Sequence, residues 1–389
     1  MRRRVLQILL CRVSGLFVIC LLGAMHSGHA AAAETDRATA QRDLLDESQW
    51  KQLDSTIDRA LQFLSKQQRP NGSFAAPDLG QPGITSLCVL AFLARGHVPH
   101  EGPYGEQLDR AINFVLAQQR ESGILFGVPY GPAYRPGTPN QTGMYNHAIA
   151  GVMLGEVYGM VEVAQSDKIG NVLKPAIQFS LEQQQRPKRS PLDHGGWRYL
   201  GDLSVIKSDA DLSVTAWQLM FLRSARNAGF DVPVESIDEA MAYVRRSFDR
   251  GRGAFRYCTK PPGDQTTRAM VGSGILSLSL GGEHETEIAK ASGDWLLKHP
   301  FDRYNQVEFP QERYHYSVYY CSQGMFQLGG DHWKQFYPRL MRVLLQNQQA
   351  DGSWPAESAQ DTHFGNAYTT ALVILALTPP YQLLPIYQR

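Results

Sequence analysis

The sequence predicts an all-α fold in which helical hairpins form an α/α toroid, with an outer and an inner ring of helices. Three observations predict it: a turn of the form Gln-x-x-x-Gly-x-aromatic recurs along the chain, an amphipathic helix precedes each turn, and an almost uniformly apolar helix follows it. The turn is clearest at 348–354, recurs at 68–74, ends in Leu at 119–125, and keeps only the Gly and the Phe at 249–255.

The helix before each turn buries one face. In the first of these helices Ile57, Ala60, Leu61 and Leu64 recur at i, i+3, i+4 and i+7, which is the spacing of one side of a helix. Related patterns cover 111–119, 176–185, 237–247, 288–298 and 340–349. These six segments are predicted to form the outer ring.

The helix after each turn is apolar on almost every side, as in Ile84-Thr85-Ser86-Leu87-Cys88-Val89-Leu90. Helices of this kind are interior ones. The same apolar pattern is present at 145–154, 211–222, 267–280, 316–328 and 366–377. These segments are predicted to form an inner ring of six helices.

The recurring turn has a structural interpretation. A glycine such as Gly352 ends the outer helix in a conformation with positive φ, and the following aromatic residue packs back on the helices. The glutamine side chain hydrogen-bonds backbone groups freed at the turn. We therefore interpret Gln348, Gly352 and Trp354 as parts of the fold rather than of an active site.

The N-terminus has the features of a secretory signal. Three arginines follow Met1, an apolar stretch of 13 residues follows Arg12, and small residues lead to 30–33. The apolar stretch is shorter than the roughly 18 residues that a spanning helix needs. We expect residues 1–33 to be a signal peptide, 34–47 an N-terminal segment, and 48–389 a toroid with a short C-terminal tail. The mature chain is then periplasmic or secreted, and an uncleaved N-terminal anchor is the alternative.

Net charge limits the kinds of binding partner that are expected, and cysteine content limits the disulfides. A formal net charge of +1 gives no broad basic field, so nucleic acid is not an expected partner and the membrane is contacted only through the export signal. Cys88, Cys258 and Cys321 lie beyond the signal, are odd in number and are widely spaced. No disulfide framework is expected, and these cysteines are interpreted as small buried side chains.

The glutamine- and glycine-containing turns on paired helices resemble the repeats of the terpenoid cyclase and protein prenyltransferase superfamily, which includes squalene-hopene cyclases. The resemblance covers about 48–378. It implies a toroid whose central cavity is lined by the N-terminal ends of inner helices and holds an isoprenoid on aromatic side chains.

The resemblance also suggests which acidic residues could be catalytic. Class II cyclases protonate an alkene with the central Asp of Asp-x-Asp-Asp-Thr-Ala at the start of an inner helix. The similar segment here is 209–216, in which Asp209 and Asp211 are candidate catalytic acids. If Thr215 and Ala216 align with the end of the motif, Asp211 takes its first Asp, and Ser213 and Val214 replace the other two. If Asp209 and Asp211 align instead, Leu212 replaces the final Asp, so the motif is incomplete in either alignment. Asp211 is equally interpretable as a helix N-cap.

No metal or other cofactor is expected. Prenyltransferases of the superfamily hold zinc with Asp-x-Cys and a later His. The corresponding segments here read His315-Tyr316-Ser317 and Asn366-Ala367, and no Asp-Asp pair for a magnesium motif occurs in the sequence. His315 is kept as a further catalytic candidate.

Polar and aromatic residues collect at the predicted inner-helix starts and at the turn containing Trp197. In a toroid these positions converge on one end of the ring. An alternative interpretation is that these side chains only cap helices and fill the centre of a small ring. The candidate ligand-binding residues are Tyr145, His147, Trp197, Arg268, Tyr316, Tyr319, Tyr320, Asn366 and Tyr368. The proline-rich loop 127–142 is expected to cover or shape the site.

Two functions remain open from the sequence. The first is an exported toroid that binds or transforms an isoprenoid or another apolar ligand in its central cavity, with a small molecule or lipid as partner. The second is a non-catalytic toroid that binds a protein or a glycan of the cell envelope.

Overall fold

The computed structural model describes residues 44–127, 141–201, 207–356 and 364–388. Residues Glu47–Arg389 form one compact unit, and Met1–Asp46 form another, of which only 44–46 are described. The expected signal peptide at 1–33 and most of the proline-rich loop at 127–142 lie outside the described residues.

Twelve α-helices occupy most of the described chain. In chain order they are α1 (Glu47–Lys66), α2 (Gly83–Ala94), α3 (Gly105–Leu116), α4 (Gly143–Val157), α5 (Val163–Gln184), α6 (Leu212–Asn227), α7 (Val234–Arg246), α8 (Arg268–Leu280), α9 (Glu287–Lys298), α10 (Tyr314–Leu328), α11 (Gly330–Gln346) and α12 (Gly365–Leu377). The strands β1 (Phe248–Asp249) and β2 (Ala254–Phe255) form one short antiparallel hairpin. No described helix is long and apolar enough to cross a membrane.

The helices form two concentric rings. Helices α2, α4, α6, α8, α10 and α12 are buried along nearly their whole length, whereas α1, α3, α5, α7, α9 and α11 each bury one face. Each inner helix contacts the next one along the chain, and α12 contacts α2, so the inner ring closes. The predicted α/α toroid is confirmed.

The glutamine of the recurring turn joins neighbouring hairpins. Its Nε2 donates to the glycine carbonyl of its own turn and also to a carbonyl of the next outer helix. The second bond is 2.7–2.8 Å long at each of four turns, from Gln68 to Gln107, Gln119 to Val172, Gln184 to Ser236, and Gln348 to Thr56. The last of these bonds links the final turn to α1 and closes the outer ring.

The glycine of this turn is required for two reasons. Gly352 has a φ of +92°, which favours glycine. A Cβ built on it would also lie 2.4 Å from the carbonyl oxygen of Arg59 in α1. The same double restriction holds at Gly72, Gly123 and Gly195. Outer helices therefore pack directly on the backbone of the turns.

The third turn contains an insertion. Gln184 and Gly195 are 11 positions apart, whereas Gln348 and Gly352 are 4 apart. Gln184 was not recognised in the sequence as the glutamine of this turn, because the insertion breaks the spacing. The inserted segment contains the basic residues Arg186, Lys188 and Arg189.

At four turns the last residue is held by the following inner helix. The backbone N–H groups of Phe74, Trp197 and Trp354 donate to the hydroxyls of Thr85, Thr215 and Thr370, at 3.0, 3.0 and 3.2 Å. In the second hairpin the N–H of Leu125 donates instead to Nδ1 of His147, at 3.1 Å. His147 thus occupies the place of these threonines.

Aromatic side chains fill the middle of the inner ring. Trp217 of α6 stacks on Tyr319 of α10 with ring centroids 5.6 Å apart, and Tyr320 packs against both. All three are buried. Their packing agrees with the alternative interpretation that Tyr319 and Tyr320 fill the centre of the ring.

Residues 379–388, the C-terminal strap, cross the C-terminal ends of the inner helices. Tyr387 pairs its hydroxyl with that of Tyr319 at 2.6 Å, and its carbonyl accepts from Gln327. The N–H of Ile386 donates to the buried carboxyl of Glu156 at 3.0 Å. The strap therefore covers the end of the ring opposite to the inner-helix starts.

The three cysteines of the described residues are free and buried. Burial raises the pKa of the Cys88, Cys258 and Cys321 thiols. The interpretation of these residues as buried side chains is confirmed.

Candidate functional site

The start of helix α6 is fixed by Asp211. One oxygen of its carboxyl accepts from the N–H of Val214 at 2.8 Å, and the other accepts from Nη1 of Arg198 at 2.7 Å. The Asp211 side chain is fully buried, and burial raises its pKa, although Arg198 acts in the opposite direction. The interpretation of Asp211 as a helix N-cap is confirmed.

Arg198 lies between two tyrosine rings. Its guanidinium carbon is 4.4 Å from the ring centroid of Tyr199 and 5.3 Å from that of Tyr257. Nη1 also donates to the Tyr257 hydroxyl at 2.8 Å, and the Tyr199 and Tyr257 hydroxyls pair with each other. With 11% of its side chain exposed, Arg198 is held rigidly at the edge of the ring.

A hydrogen-bonded chain of hydroxyls continues from α6 to its neighbours. Tyr145 of α4 donates to Ser213 at 2.8 Å, and Ser213 pairs with Tyr316 of α10 at 2.8 Å. Nε1 of Trp217 donates to the Tyr316 hydroxyl at 3.1 Å. The ring of Tyr145 lies 6.0 Å from that of Tyr199, which joins this chain to Arg198.

These residues form what we call the rim cluster: Tyr145, Arg198, Tyr199, Asp211, Ser213, Tyr257 and Tyr316. The four tyrosines and Arg198 are half-buried. Burial raises the pKa of all four phenols, which keeps them neutral and able both to donate and to accept. The cluster thus presents aromatic surface with a small number of polar groups.

Two alignments with the class II cyclase motif place the central acid at different residues: one places it at Ser213, and the other at Asp211. The Ser213 hydroxyl is buried between Tyr145 and Tyr316. A serine hydroxyl is far too weak an acid to protonate an alkene. Ser213 therefore could not be the proton donor of such a reaction.

A cavity of about 400 Å³, the basic pocket, adjoins the rim cluster. It is lined in part by the inserted segment of the third turn and in part by the rim cluster. The lining residues that carry charge or an aromatic ring are Arg186, Lys188, Arg189, Arg198, Tyr199 and Asp209. Another cavity of about 430 Å³ lies at the C-terminal ends of α4 and α6, and it has no part of the rim cluster in its lining.

Two of the three catalytic candidates lie outside the rim cluster. Asp209 lines the basic pocket and is ion-paired with Arg189 at 2.7 Å. Burial acts to raise the pKa of Asp209, but the hydrogen bonds from Arg189 outweigh it and the pKa falls below its usual value. His315 is fully buried in α10, where Nε2 pairs with the Tyr304 hydroxyl at 2.9 Å.

Arg268 is surrounded by protein acceptors. It forms a buried ion pair with Glu312 at 2.8 Å, donates to the carbonyls of Pro300 and Gln306, and lies 3.9 Å from the ring centroid of Phe301. Through these contacts Arg268 holds α8 against the segment before α10, which gives this residue a structural role.

Four other candidates have contacts that belong to the repeats. His147 accepts from Leu125 and pairs with Ser180 at 3.0 Å, and burial lowers its pKa to about 3. The indole of Trp197 is buried and donates to the Ser180 carbonyl. Asn366 accepts from the N–H of Ala356, and Tyr368 packs on Phe364. Of the nine ligand-binding candidates, only Tyr145 and Tyr316 lie in the rim cluster.

Arg198 and Tyr257 were missed as site residues in the sequence. Both lie in irregular segments that precede inner helices, where no periodic pattern marks them. The one available signal was that Arg198 directly follows the turn residue Trp197.

The sequence matches no known family model and no curated protein. The structure is similar to that of a variant of the type II terpene cyclase MstE from Scytonema in complex with geranylgeranyl dihydroxybenzoate, with a TM-score of 0.58, 14% identity, and coverage of 87% of this chain and 100% of that one. It is also similar to the GH76 α-mannanase BT2949 from Bacteroides thetaiotaomicron, with a TM-score of 0.58, 12% identity, and coverage of 89% and 98%. A protein from Actinoplanes aligns with a TM-score of 0.53, 16% identity, and coverage of 84% and 99%.

At these identities the likenesses show the fold. Both the cyclase and the mannanase are α/α toroids. By its fold, the chain is an α/α toroid, similar to those of the terpene cyclase and of the mannanase.

Proposed function

We propose that the toroid binds an apolar small molecule of the isoprenoid type at the rim cluster, without cyclising it. The observation that carries the proposal is the set of four half-buried tyrosines at the inner-helix starts of α4, α6 and α10, with a cavity beside them. Ligand sites combine aromatic walls with a small number of placed polar groups. The terpene cyclase of similar fold binds an isoprenoid substrate, which supports this class of ligand.

Binding without cyclisation follows from the acids. Of the two residues that the alignments place at the central acid, Asp211 is fully buried and engaged by Arg198 and the N–H of Val214, and Ser213 carries no carboxyl group. A general acid must reach the atom that it protonates. We therefore expect a bound polyprenyl chain to leave the protein chemically unchanged.

A glycan is the competing ligand, since the mannanase has a similar fold. Glycosidases use two carboxyl groups facing the sugar. At the rim cluster and the basic pocket, Asp211 is buried against Arg198 and Asp209 is tied to Arg189. These two carboxyls are not available as such a pair, so the geometry favours the apolar ligand.

Titration with farnesol, followed by tryptophan fluorescence, tests the proposal. Trp217 donates to Tyr316, so a ligand at the rim cluster should change the emission of Trp217. We expect saturable binding, recovery of unchanged farnesol, and at least about tenfold weaker binding for Tyr316→Ala, since an aromatic contact is removed. Tyr158→Ala, in the cavity at the other end of the helices, is the matched control.

Native mass spectrometry after incubation with a cell-envelope lipid extract gives an independent measurement. Retention of a polyprenyl lipid by the unaltered protein and not by Tyr316→Ala supports the proposal. Absence of any retained lipid, together with no response to farnesol, would sink it and leave a protein- or glycan-binding toroid as the explanation.

We also propose that the protein acts outside the cytoplasm. The arginines and the apolar stretch of the first 33 residues support export. Expression in a bacterium followed by mass determination of the periplasmic protein should give a chain beginning between Ala31 and Glu34. A full-length chain found with the membrane would show an uncleaved anchor instead.

A further inference from the structure

The insertion in the third turn places basic residues beside the rim cluster. At the other turns with a glutamine, the glutamine and the glycine are 4 positions apart, whereas Gln184 and Gly195 are 11 apart. The additional residues form one wall of the basic pocket, and Arg198 and Tyr199 of the rim cluster form another. The basic pocket and the aromatic surface are therefore adjacent.

Arg198, which lines this pocket, has unused donors. Nη1 makes the bonds to Asp211 and Tyr257, while Nε and Nη2 have no acceptor among the described residues. The two tyrosine rings and the buried Asp211 fix the plane of the guanidinium. A fixed guanidinium edge with two free N–H groups matches the two oxygens of a carboxylate or a phosphate.

Lys188 adds a second set of donors. Its Nζ donates to the carbonyl of Gly196 at 2.9 Å, which leaves the other two donors without a partner in the described chain. Lys188 is half-buried, and burial lowers its pKa. A bound anion would compensate the loss of hydration.

The charges around the pocket are only partly balanced. Arg189 is paired with Asp209 and Arg198 with Asp211. Asp193 also lies nearby and attracts Lys188, but its buried carboxyl already accepts from Ser208 and from the N–H of Asp209. Arg186 is exposed, and no ion pair to it is seen among the described residues. Counted over the described residues, the charges around the pocket therefore leave an excess of positive charge.

We propose that the basic pocket binds the anionic head group, a phosphate or a carboxylate, of the apolar ligand whose body lies on the tyrosines of the rim cluster. This inference rests on the proposed function, because it specifies the ligand of the same site. The ligand is accordingly an anionic amphiphile. Its head contacts the Nε and Nη2 edge of Arg198 and Nζ of Lys188.

The test compares ligands that share one apolar chain. Farnesyl phosphate, farnesoate, farnesol and inorganic phosphate are titrated into the purified protein by calorimetry. Because hydrogen bonds to charged groups are the strong ones, we expect farnesyl phosphate to bind at least about tenfold tighter than farnesol. The advantage should decrease as salt is raised. The farnesoate arm decides whether a carboxylate is accepted as well as a phosphate.

The outcomes separate the two proposals. Equal affinities for farnesol and farnesyl phosphate would overturn the anionic head group and leave the proposed function intact. Binding of farnesyl phosphate and inorganic phosphate with equal affinity, and no binding of farnesol, would overturn both, since the anion alone would account for the affinity.

Variants locate the head group. Lys188→Met should reduce the preference for farnesyl phosphate over farnesol several-fold and leave farnesol binding unchanged. The double variant Arg198→Gln/Asp211→Asn removes both charges of the buried pair and should abolish the preference if the protein folds. Arg342→Gln, at an exposed arginine on α11, lowers the net charge by one, as Lys188→Met does, and is the control for that variant. An undiminished preference in Lys188→Met would place the anion elsewhere and contradict the assignment.

Discussion

The side chain of Gln348 donates to the carbonyl of Thr56 at 2.8 Å, across 292 positions of sequence. The same side chain donates to the carbonyl of Gly352 in its own turn at 2.9 Å. One residue thus joins the last repeat to the first. The recurring turn is a connection between hairpins, and the ring depends on it at the point where the chain meets itself.

Gly352→Ala should destabilise the protein by about 3 kcal/mol or more, since it combines a positive φ with a contact of 2.4 Å to the Arg59 carbonyl. Gly229 has nearly the same φ, +89°, and open space around its Cα. Gly229→Ala should therefore cost only about 1–2 kcal/mol. Urea unfolding of both variants measures the difference. Equal losses would show that the contact with α1 is unimportant.

His147 should be replaceable by threonine better than by valine. Both residues are smaller than histidine and leave the same space between Phe179 and Phe221, but only threonine offers an acceptor to the N–H of Leu125. We expect His147→Thr to be more stable than His147→Val by about 1–2 kcal/mol, the cost of an unpaired buried donor. Thr370→Val breaks the equivalent bond in the last repeat and supplies the reference value. A valine variant as stable as the threonine variant would argue against this role.

Glu156 should make the protein less stable as the pH rises. Burial raises its pKa to about 7 in the folded state, from an ordinary value of 4.5, so the folded state binds the proton more tightly than the unfolded state. Its contribution is most favourable below about pH 4.5 and is lost progressively as the pH rises to about 7, by roughly 3 kcal/mol in total.

Urea midpoints at pH 5, 6, 7 and 8 check this dependence. Glu156→Gln should flatten the decline between pH 5 and 8, so that the variant gains relative to the native protein at the higher pH. The exposed Glu182→Gln is the control. Parallel curves for Glu156→Gln and the native protein would assign the pH dependence to other groups.

Arg268→Met should cost about 3–5 kcal/mol, because it leaves Glu312 buried without its cation. The double variant Arg268→Met/Glu312→Gln should recover part of that loss. Thermal unfolding measures stability, and the farnesol titration of each folded variant measures binding. A loss of binding without a loss of stability would return Arg268 to the list of ligand-contacting residues.

The rings of the fold could be predicted because helix periodicity is local. The apolar stripe of α1 and the uniformly apolar α2 are read from neighbouring residues, and the turn at 348–354 repeats at a recognisable spacing. The site was less predictable. Arg198 and Tyr257 are 59 positions apart, and only the folding of two irregular segments around the start of α6 brings them into contact.

The structural roles of the candidate site residues could also be predicted only where they depend on neighbours in sequence. The sequence indicated an N-cap at Asp211, which depends on its immediate neighbours. It did not indicate that Glu312 would neutralise Arg268 or that His147 would stand in for a threonine, because each depends on a partner outside the helix that carries the residue.

The bond between Gln348 and Thr56 also limits how such a protein can diversify. A linear array of repeats gains or loses a unit at its end with little disturbance. Here the six hairpins already form a closed ring, so a seventh hairpin would break the bond between the last repeat and the first. New binding sites must then arise from changes in the lengths of the turns. The longer segment between Gln184 and Gly195 is a change of this kind, and it helps to form the basic pocket. Because this turn lies at the edge of the ring, its length can vary without changing the number of helices in the ring.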